Sequence, residues 1–317
     1  MERLIVSSSP HLNGKKTTQN IMRDVLIALA PAAVSGVIFF GYRAAALLAV
    51  CVVSSCLCEY ICRRVMKREQ TAADLSAAVT GLLLGLNLPV SANPLLAVFG
   101  CVVAIAVVKQ MFGGIGQNFV NPALTARIVL LNSFPGKMTA WTQPFAYSIN
   151  ADSITTATPL AQYAAGENAA GYLDLFLGNT AGCLGETSVL AILIGCIYLI
   201  ARGVIKPVIP AVYLGTAAVF SLAMGRDPLF DLMSGGLMIG AVFMATDYTT
   251  SPMYIWGKAV FAFGCGALTM LIREYGSLYE GVSYAIVIMN ILTPLIERYI
   301  KPQTFGRGRT RSEAENK

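Results

Sequence analysis

The chain has 317 residues, of which 56% are hydrophobic and 13% are charged, and its mean hydropathy is +0.64. These values exclude an ordinary soluble globular protein, in which about a quarter of the residues carry charge. The net charge of +6 comes without interleaved basic and aromatic residues, so we expect no nucleic-acid partner. The composition predicts a protein that lies in a lipid bilayer.

Apolar segments recur along the whole chain, separated by short polar, Gly-rich or Pro-rich breaks. Each is near the ~20 residues that a helix needs to cross the hydrocarbon layer. They predict an all-α polytopic membrane protein with about ten transmembrane helices, of which the short third, fifth and eighth are expected to be tilted, broken or partly re-entrant. No processing site precedes the first segment, so we expect it to be retained. The segments are 25–41, 44–62, 75–89, 95–112, 122–134, 187–201, 208–224, 232–246, 255–272 and 282–297.

Basic residues are distributed unevenly between the two sides of this topology. With a cytoplasmic N-terminus, 18 of the 23 Lys and Arg residues, Lys109 among them, fall on the cytoplasmic side or just inside its rim. Because cytoplasmic loops of membrane proteins are enriched in Lys and Arg, both termini are expected in the cytoplasm, with the chain in the cytoplasmic (inner) membrane. Arg127 lies within a helix, and the opposite side receives Arg43, Lys137, Arg226 and Arg273.

The one long connection, 135–185, is rich in Thr, Ser, Asn, Ala and Gly and is expected outside the cytoplasm. It separates two membrane halves, each with its own terminal extension. The predicted division is 1–24 as cytoplasmic N-terminal segment, 25–134 as first half, 135–185 as extracytoplasmic loop, 186–300 as second half and 301–317 as basic cytoplasmic tail.

A weak internal repeat relates the halves. Asp74-Leu-Ser begins a Gly-containing apolar stretch that ends at Asn93-Pro94, and Asp231-Leu-Met-Ser begins another that ends at Ser251-Pro252. The predicted topology makes these stretches cross in opposite directions, which indicates two five-helix halves of inverted topology, an arrangement known in transporters. Chance similarity between Gly-rich apolar segments is the alternative.

The string from Asp152 to Leu160, Asp-Ser-Ile-Thr-Thr-Ala-Thr-Pro-Leu, lies in the long loop. It resembles the flavinylation motif of the Rnf D and Nqr B family. The resemblance implies that Thr158 accepts FMN through a phosphoester bond, with Asp152 and Thr155 as the other matching positions. Thr156 stands where Gly is common in that motif. The plain alternative is an unmodified Ser/Thr-rich loop.

Further blocks resemble the same family, in order and over essentially the whole chain. The resemblance implies the D-type member of an Rnf pump that couples ferredoxin and NAD to Na⁺ or H⁺ movement. The implied partners are the G-type component with its own covalent FMN, the A-type and E-type membrane components, a flavin transferase and membrane lipid. The matching blocks are Ser9-Pro10-His11, 74–77, 80–89, 112–123, 243–247 with Ser251-Pro252, and 280–285.

The Gly-rich string 113–123 contains Asn118 and Asn121 before a helix start at Pro122. No predicted strand or βαβ unit surrounds it, so it is not a dinucleotide-binding loop. The matching region of the related Nqr B protein lies at a second, noncovalent riboflavin. The resemblance therefore makes Asn118 and Asn121 candidates for contacts to a flavin ring. Helix capping by Asn121 is the alternative.

Charges predicted inside the membrane are the remaining functional pointers. Glu59, Asp74 and Asp247 are weak candidates for an ion path, and Arg127 is a candidate for either an ion pair or that path, since unpaired charge in hydrocarbon is costly. We expect no metal site at Cys56, Cys58 and Cys62, which lack a C-x-x-C pair. Without a flavin, the same features would suit a self-contained channel or secondary transporter, or a structural membrane scaffold.

Overall fold

The computed structural model describes residues 17–146, 156–166, 170–276 and 281–300. Helix is present in every one of the predicted apolar segments. The first half contains α1 Thr18–Phe40, α2 Tyr42–Val65, a 3-10 turn Ala72–Asp74, α3 Ser76–Leu86, α4 Pro94–Val102 continued by a π-helix Val103–Gln110, and α5 Pro122–Ser133. The long connection contains α6 Pro135–Met138, α7 Pro159–Ala164 and α8 Tyr172–Leu177. The second half contains α9 Val189–Ala201, α10 Val208–Ala223, α11 Pro228–Met233, α12 Leu237–Ile239 continued by a π-helix Gly240–Met244, α13 Ile255–Tyr275 and α14 Val282–Tyr299.

The helices have the length and surface of a polytopic membrane protein. Within the described residues, α1, α2 and α13 are each long and apolar enough to span a bilayer, and α3, α4 with its π-helix, α9 and α10 are shorter apolar helices. Large apolar side chains face outward, with Leu95 and Trp256 each 77% exposed. Such a surface suits lipid, while helices satisfy their backbone groups internally. The all-α membrane fold is confirmed; the number of crossings stays a prediction.

Successive long helices alternate in direction, so the bundle has two ends. We call the end with the start of α1 the amino-terminal end, where the Tyr198 hydroxyl of α9 donates to Asp24 at 3.2 Å. We call the opposite end the loop end, where the amide of Phe145 donates to the carbonyl of Phe39 at 2.7 Å. Arg273 and Arg226, which the sequence predicts on the side opposite the N-terminus, both lie at the loop end.

The two halves meet where α1 packs against α9. A Cβ at Gly195 would collide with the carbonyl oxygen of Ala28, so glycine allows this close crossing. Within the first half, a Cβ at Gly81 of α3 would lie 2.6 Å from the carbonyl oxygen of Cys51 in α2. In each half the second long helix packs on the fourth and the fourth packs on the fifth. The inverted repeat, which would produce such a correspondence, stays a prediction.

The short segments are shaped by turn and cap chemistry. The predicted eighth segment is interrupted by the turn 234–236 between α11 and α12. An N-cap side chain followed by proline starts α4, α5, α7 and α11. This pairing satisfies free helical N–H groups and presets the first helical φ angle. The caps are Asn93, Asn121, Thr158 and Asp227.

Candidate functional sites at the two ends of the bundle

Thr158 lies at the loop end and is partly buried. Its Oγ1 accepts a hydrogen bond from the amide of Ala161 at 3.3 Å and so caps α7. This contact uses an oxygen lone pair and leaves the hydroxyl proton out of the cap. Asp152 and Thr155, the other two positions of the predicted motif, lie outside the described residues.

A small cleft of about 20 Å³ adjoins Thr158. That volume holds about one water molecule, so a flavin ring does not fit inside it. Thr187 lines the cleft, is 3% exposed, and its Oγ1 has no hydrogen-bond partner among the described residues. An unsatisfied buried hydroxyl is costly unless a ligand or water meets it. Other residues that line the cleft are Leu160, Thr180, Gly182, Glu186 and Gly235.

Beneath the cleft, Arg127 and Glu186 form a buried ion pair. Arg127 Nη1 lies 2.9 Å from Glu186 Oε1 and donates to Asn87 Oδ1 at 2.9 Å. Arg127 Nη2 contacts Cys183 Sγ at 3.3 Å. The two charged side chains are 5% and 4% exposed, so the carboxylate compensates the arginine where water does not. Arg127 is therefore paired inside the bundle, one of its two expected roles.

Two further arginines lie at the loop end. Arg226 binds the carboxylate of Asp231 with both Nε and Nη2, at 2.9 and 2.8 Å. Arg273 is 2% exposed and donates to the carbonyls of Asp231 and Ser234 at 2.6 and 3.0 Å. Both arginines thus converge on the chain around α11, which borders the cleft.

A tyrosine–aspartate hydrogen bond ties α8 to the start of α11, outside the membrane-spanning helices. The Tyr172 hydroxyl donates to Asp227. This bond lowers the pKa of Asp227 below its usual value, and the same bond is the largest cause that raises the pKa of Tyr172. The ionised Asp227 then caps α11 through the amide of Leu229 at 3.0 Å. The contact holds α8, whose Leu175 lines the cleft, against the start of α11.

A larger cavity of about 110 Å³ opens at the amino-terminal end. It lies between α1, α3, α9 and the two π-helices, and most of its wall is aliphatic. Asn118, Asn121, Lys109 and Asp247 supply polar groups to it. An apolar cavity with a few convergent polar groups is the usual form of a small-molecule site. The structure therefore brings both predicted asparagines and one predicted acid to one cavity.

The two asparagines differ in how their amides are used. Asn121 Oδ1 accepts from the amides of Ala123 and Leu124 at 3.1 and 3.3 Å, and its Nδ2 donates to the carbonyl of Met244 at 3.3 Å. Asn121 is therefore the N-cap of α5. Asn118 Nδ2 donates to the carbonyl of Val120 at 3.1 Å. Its Oδ1 takes no part in these contacts, so Asn118 is better placed to meet a ligand.

Glu59 lies in a buried charge cluster beside this cavity. Its Oε1 lies 3.0 Å from Lys109 Nζ and accepts from Gln110 Nε2 at 2.7 Å, and Arg63 Nε lies 4.0 Å away. Lys109 Nζ also donates to Ser76 Oγ at 2.6 Å. Lys109 is 3% exposed, so the protein encloses this cation at the amino-terminal end. It is buried because Glu59 compensates it.

The other two acids predicted for an ion path are less buried. Asp74 ends the 3-10 turn before α3, and Asp247 accepts from the Thr250 hydroxyl at 3.3 Å and from the Thr249 amide at 3.4 Å. Neither forms an ion pair with the described residues. Asp247 shares the cavity with Lys109, while Asp74 does not line it. The structure thus brings Asp247 and the Glu59 cluster to the same end without direct contact.

Comparison with known proteins places the whole chain in one family. A model of the NQR2, RnfD, RnfE family matches residues 5–306. The chain belongs to this family. Among its relatives, the D component of the Na⁺-translocating ferredoxin:NAD⁺ oxidoreductase complex of Acetobacterium woodii is 50% identical over 317 residues, which cover 98% of each chain.

More distant relatives in the NQR2, RnfD, RnfE family carry similar names. The D component of the proton-translocating ferredoxin:NAD⁺ oxidoreductase complex of Clostridium ljungdahlii is 41% identical, with 96% of each chain covered. The D component of an ion-translocating oxidoreductase complex of Stutzerimonas stutzeri is 38% identical, covering 92% of this chain and 93% of the relative. The similarity therefore extends over full lengths.

The sequence prediction missed Glu186 and Arg273 as site residues. Glu186 lies within Gly185-Glu186-Thr187, directly before an apolar segment, and Arg273 lies near the end of another. A charge next to a membrane segment is expected to face the bundle or a wet cavity, so their positions carried a signal. Their shared location at the Thr158 cleft depends on contacts between segments that are distant in sequence.

Proposed function

We propose that this chain is the D-type membrane component of an Rnf-type ion pump and that it passes electrons through FMN attached to Thr158. Full-length similarity to components of ferredoxin:NAD⁺ oxidoreductase complexes supports the assembly and its reaction. The transported ion is Na⁺ or H⁺, the two that the names of those relatives give. The chain works within its complex and has no activity alone.

The observation that carries the FMN site is the Thr158 hydroxyl at the edge of a small cleft that Thr187 and Glu186 also line. A covalent bond suits this place, because the cleft is too small to hold a flavin by enclosure. The unpartnered Thr187 hydroxyl fits a phosphoryl oxygen, to which it can donate. Asp152 and Thr155 belong to the proposed recognition motif for the flavin transferase.

Bound FMN supplies the redox chemistry, and the protein supplies attachment, orientation and charge. Thr158 attaches the phosphoryl group, and the neighbouring hydroxyls and charges hold it. At the amino-terminal end, Asn118 and Asn121 support a second, noncovalent riboflavin in the cavity of about 110 Å³. A ring there requires the cavity, which Gly116 and Asp247 also line, to widen.

The proposed orientation sets the loop end outside the cytoplasm and both termini inside it, in the cytoplasmic membrane. The supporting observation is that the topology expected from the sequence has 18 of the 23 Lys and Arg residues on the side of the N-terminus or just inside its rim. The two flavin sites then lie on opposite sides of a layer about 30 Å thick. The G-type component and the A-type and E-type membrane components are the proposed partners that supply the remaining carriers.

A role in the ion path is proposed for Glu59, Asp74 and Asp247. Glu59 is the strongest of the three, since it is 1% exposed and its Oε2 has no hydrogen-bond partner among the described residues. An unsatisfied carboxylate oxygen can accept a proton or contribute to binding a cation. Asp74 and Asp247 lie toward the same end and can exchange ions with water.

In-gel flavin fluorescence tests the proposed function. The full chain is produced with a flavin transferase and separated under denaturing conditions, which remove noncovalent flavin. We expect a fluorescent band for the wild type and none for Thr158→Ala. Thr180→Ala is the matched control, because Thr180 lines the same cleft, and it should keep its fluorescence. A fluorescent Thr158→Ala band would refute the assignment of the attachment residue.

A further inference from the structure

Arg273 is a buried cation whose charge has no carboxylate in contact among the described residues. Its two terminal nitrogens donate to backbone carbonyls, and its Nε has no hydrogen-bond partner there. The nearby Asp231 carboxylate is engaged by Arg226 and by the Ser221 hydroxyl, which donates at 2.7 Å. A buried charge without a partner is strongly unfavourable, so an anion is expected to approach Arg273 in the working protein.

Gly235 lies between Arg273 and the cleft that adjoins Thr158. Gly235 lines the Thr158 cleft with φ of +64°, and a Cβ added there would lie 3.2 Å from Arg273 Nη2 and 2.7 Å from Leu160 Cδ1. The missing side chain therefore leaves the guanidinium against the wall of the cleft. Leu160, two residues after Thr158, lies on the other side of the same glycine.

The buried charges nearest the cleft are Arg127, Glu186 and Arg273. Arg127 is compensated by Glu186, and the neighbouring Arg226 by Asp231 and by Glu274, whose side chain is 36% exposed. Arg273 adds one positive charge with no matching carboxylate in contact. The buried set Arg127, Glu186 and Arg273 thus carries one more positive than negative charge where exposure to water is low.

We infer that the buried cluster Arg127, Glu186 and Arg273 is the counter-charge for the anion attached at Thr158, with Arg273 as the positioning residue. The inference rests on the proposed function, since the anion is the phosphodiester that FMN forms with the Thr158 hydroxyl. That diester keeps one negative charge at all physiological pH values. It matches the single excess positive charge of the cluster, and guanidinium groups are well suited to phosphate.

A thermodynamic cycle on the full chain tests this pairing. Melting temperatures are measured for protein made with and without the flavin transferase, so that each variant reports the stabilisation caused by flavin attachment. The wild type should gain melting temperature on attachment, and Arg273→Gln should lose most of that gain. Arg273→Lys, which keeps the charge, should restore much of it. Lys137→Gln is the charge-matched control, because Lys137 is exposed at the same end, and it should keep the full gain.

A second variant should change the stabilisation caused by flavin attachment in the opposite direction. Glu186→Gln removes a negative charge from the cleft, so flavin attachment should raise its melting temperature more than that of the wild type. The midpoint potential of the attached flavin gives a separate reading, lower in Arg273→Gln and higher in Glu186→Gln. If Arg273→Gln folds and gains as much melting temperature on flavin attachment as the wild type, the inference is wrong. If that variant does not fold, the inference is wrong when the gain in Glu186→Gln is no larger than in the wild type.

The proposed function and this inference fail in different ways. If mass spectrometry finds no flavin on wild-type Thr158, the proposed function is wrong and the inference falls with it. If Thr158 carries FMN but the stabilisation on attachment is the same in Arg273→Gln as in the wild type, only the counter-charge is wrong.

Discussion

The two ends of the bundle offer a ligand very different surroundings. At the loop end, Thr158 adjoins a cleft of about 20 Å³ that also presents the hydroxyls of Thr180 and Thr187, with Arg127 and Arg273 close to its wall. At the amino-terminal end, Asn118 and Asn121 join a cavity of about 110 Å³ with a largely aliphatic wall. The first has chemistry for attachment but no enclosed space, and the second has space and amide groups. The proposed covalent bond would hold a flavin at the loop end, whereas a noncovalent ring at the amino-terminal end would require the cavity to widen.

The two ends differ in whether each buried cation meets a carboxylate. At the amino-terminal end Lys109 and Arg63 lie 3.0 and 4.0 Å from Glu59 Oε1. At the loop end Arg127 pairs with Glu186, whereas Arg273 contacts only backbone carbonyls among the described residues. We therefore expect an anion to bind at the loop end.

The largest expected effect concerns which end faces outward. Lys137→Cys at the loop end should react with a membrane-impermeant maleimide in intact cells, whereas Glu69→Cys at the amino-terminal end should react only after lysis. Both positions are exposed, so their reactivity should differ only through sidedness. The wild-type chain corrects for its native cysteines. If only Glu69→Cys reacts in intact cells, the amino-terminal end faces outward and the proposed orientation is wrong.

The next effect tests whether the amino-terminal charges compensate each other. Lys109→Met leaves Glu59 at 1% exposure without its nearest cation. Breaking a buried pair on one side should lower the free energy of unfolding by about 3 kcal/mol, measured as a drop in melting temperature in detergent.

The double variant Glu59→Gln with Lys109→Met is the control for that prediction. It removes both charges together and should recover much of the lost stability, because Gln at position 59 can still pair with Gln110. If the single variant melts at the wild-type temperature, the pair does not stabilise the fold.

The smallest effect separates the two asparagines. Asn121→Leu removes the cap of α5 and should cost about 1 kcal/mol of stability. Asn118→Leu loses only the bond to the Val120 carbonyl, so it should change the melting temperature less. If Asn118 contacts the flavin, its variant lowers the noncovalent flavin released on denaturation while leaving the Thr158 adduct intact.

Asn121→Asp is the matched control, because aspartate keeps the capping oxygen. It loses the amide that donates to the Met244 carbonyl, so it should melt between Asn121→Leu and the wild type. If Asn118→Leu and Asn121→Leu both release as much noncovalent flavin as the wild type, neither asparagine binds the flavin. Asn118 then only forms a loop contact, and Asn121 only caps a helix.

Helix positions could be predicted well from the sequence, because a spanning helix must be apolar along its length. The predicted segments 122–134 and 208–224 lie within two residues of Pro122–Ser133 and Val208–Ala223. The interruption at 234–236 was expected only as a short or broken segment. The π-helices were not predicted, since they arise from packing between helices and have no local signature.

The candidate sites were predictable only where a short motif carries them. Thr158, Asn118 and Asn121 could be named from neighbouring residues in the chain. Arg273 and Glu186 could not be linked to Thr158, because they lie 115 and 28 positions away and meet it only through folding. The partner of Lys109 could not be predicted for the same reason, since Glu59 lies on another helix.

The central claim is that Thr158 carries FMN. Tryptic or chymotryptic mass spectrometry of the purified wild-type chain, produced with a flavin transferase, tests it directly on the peptide that contains Thr158. We expect this peptide to gain the mass of FMN less one water, with fragmentation assigning the addition to Thr158. An unmodified peptide, or an adduct on Thr155 or Thr156, would contradict it.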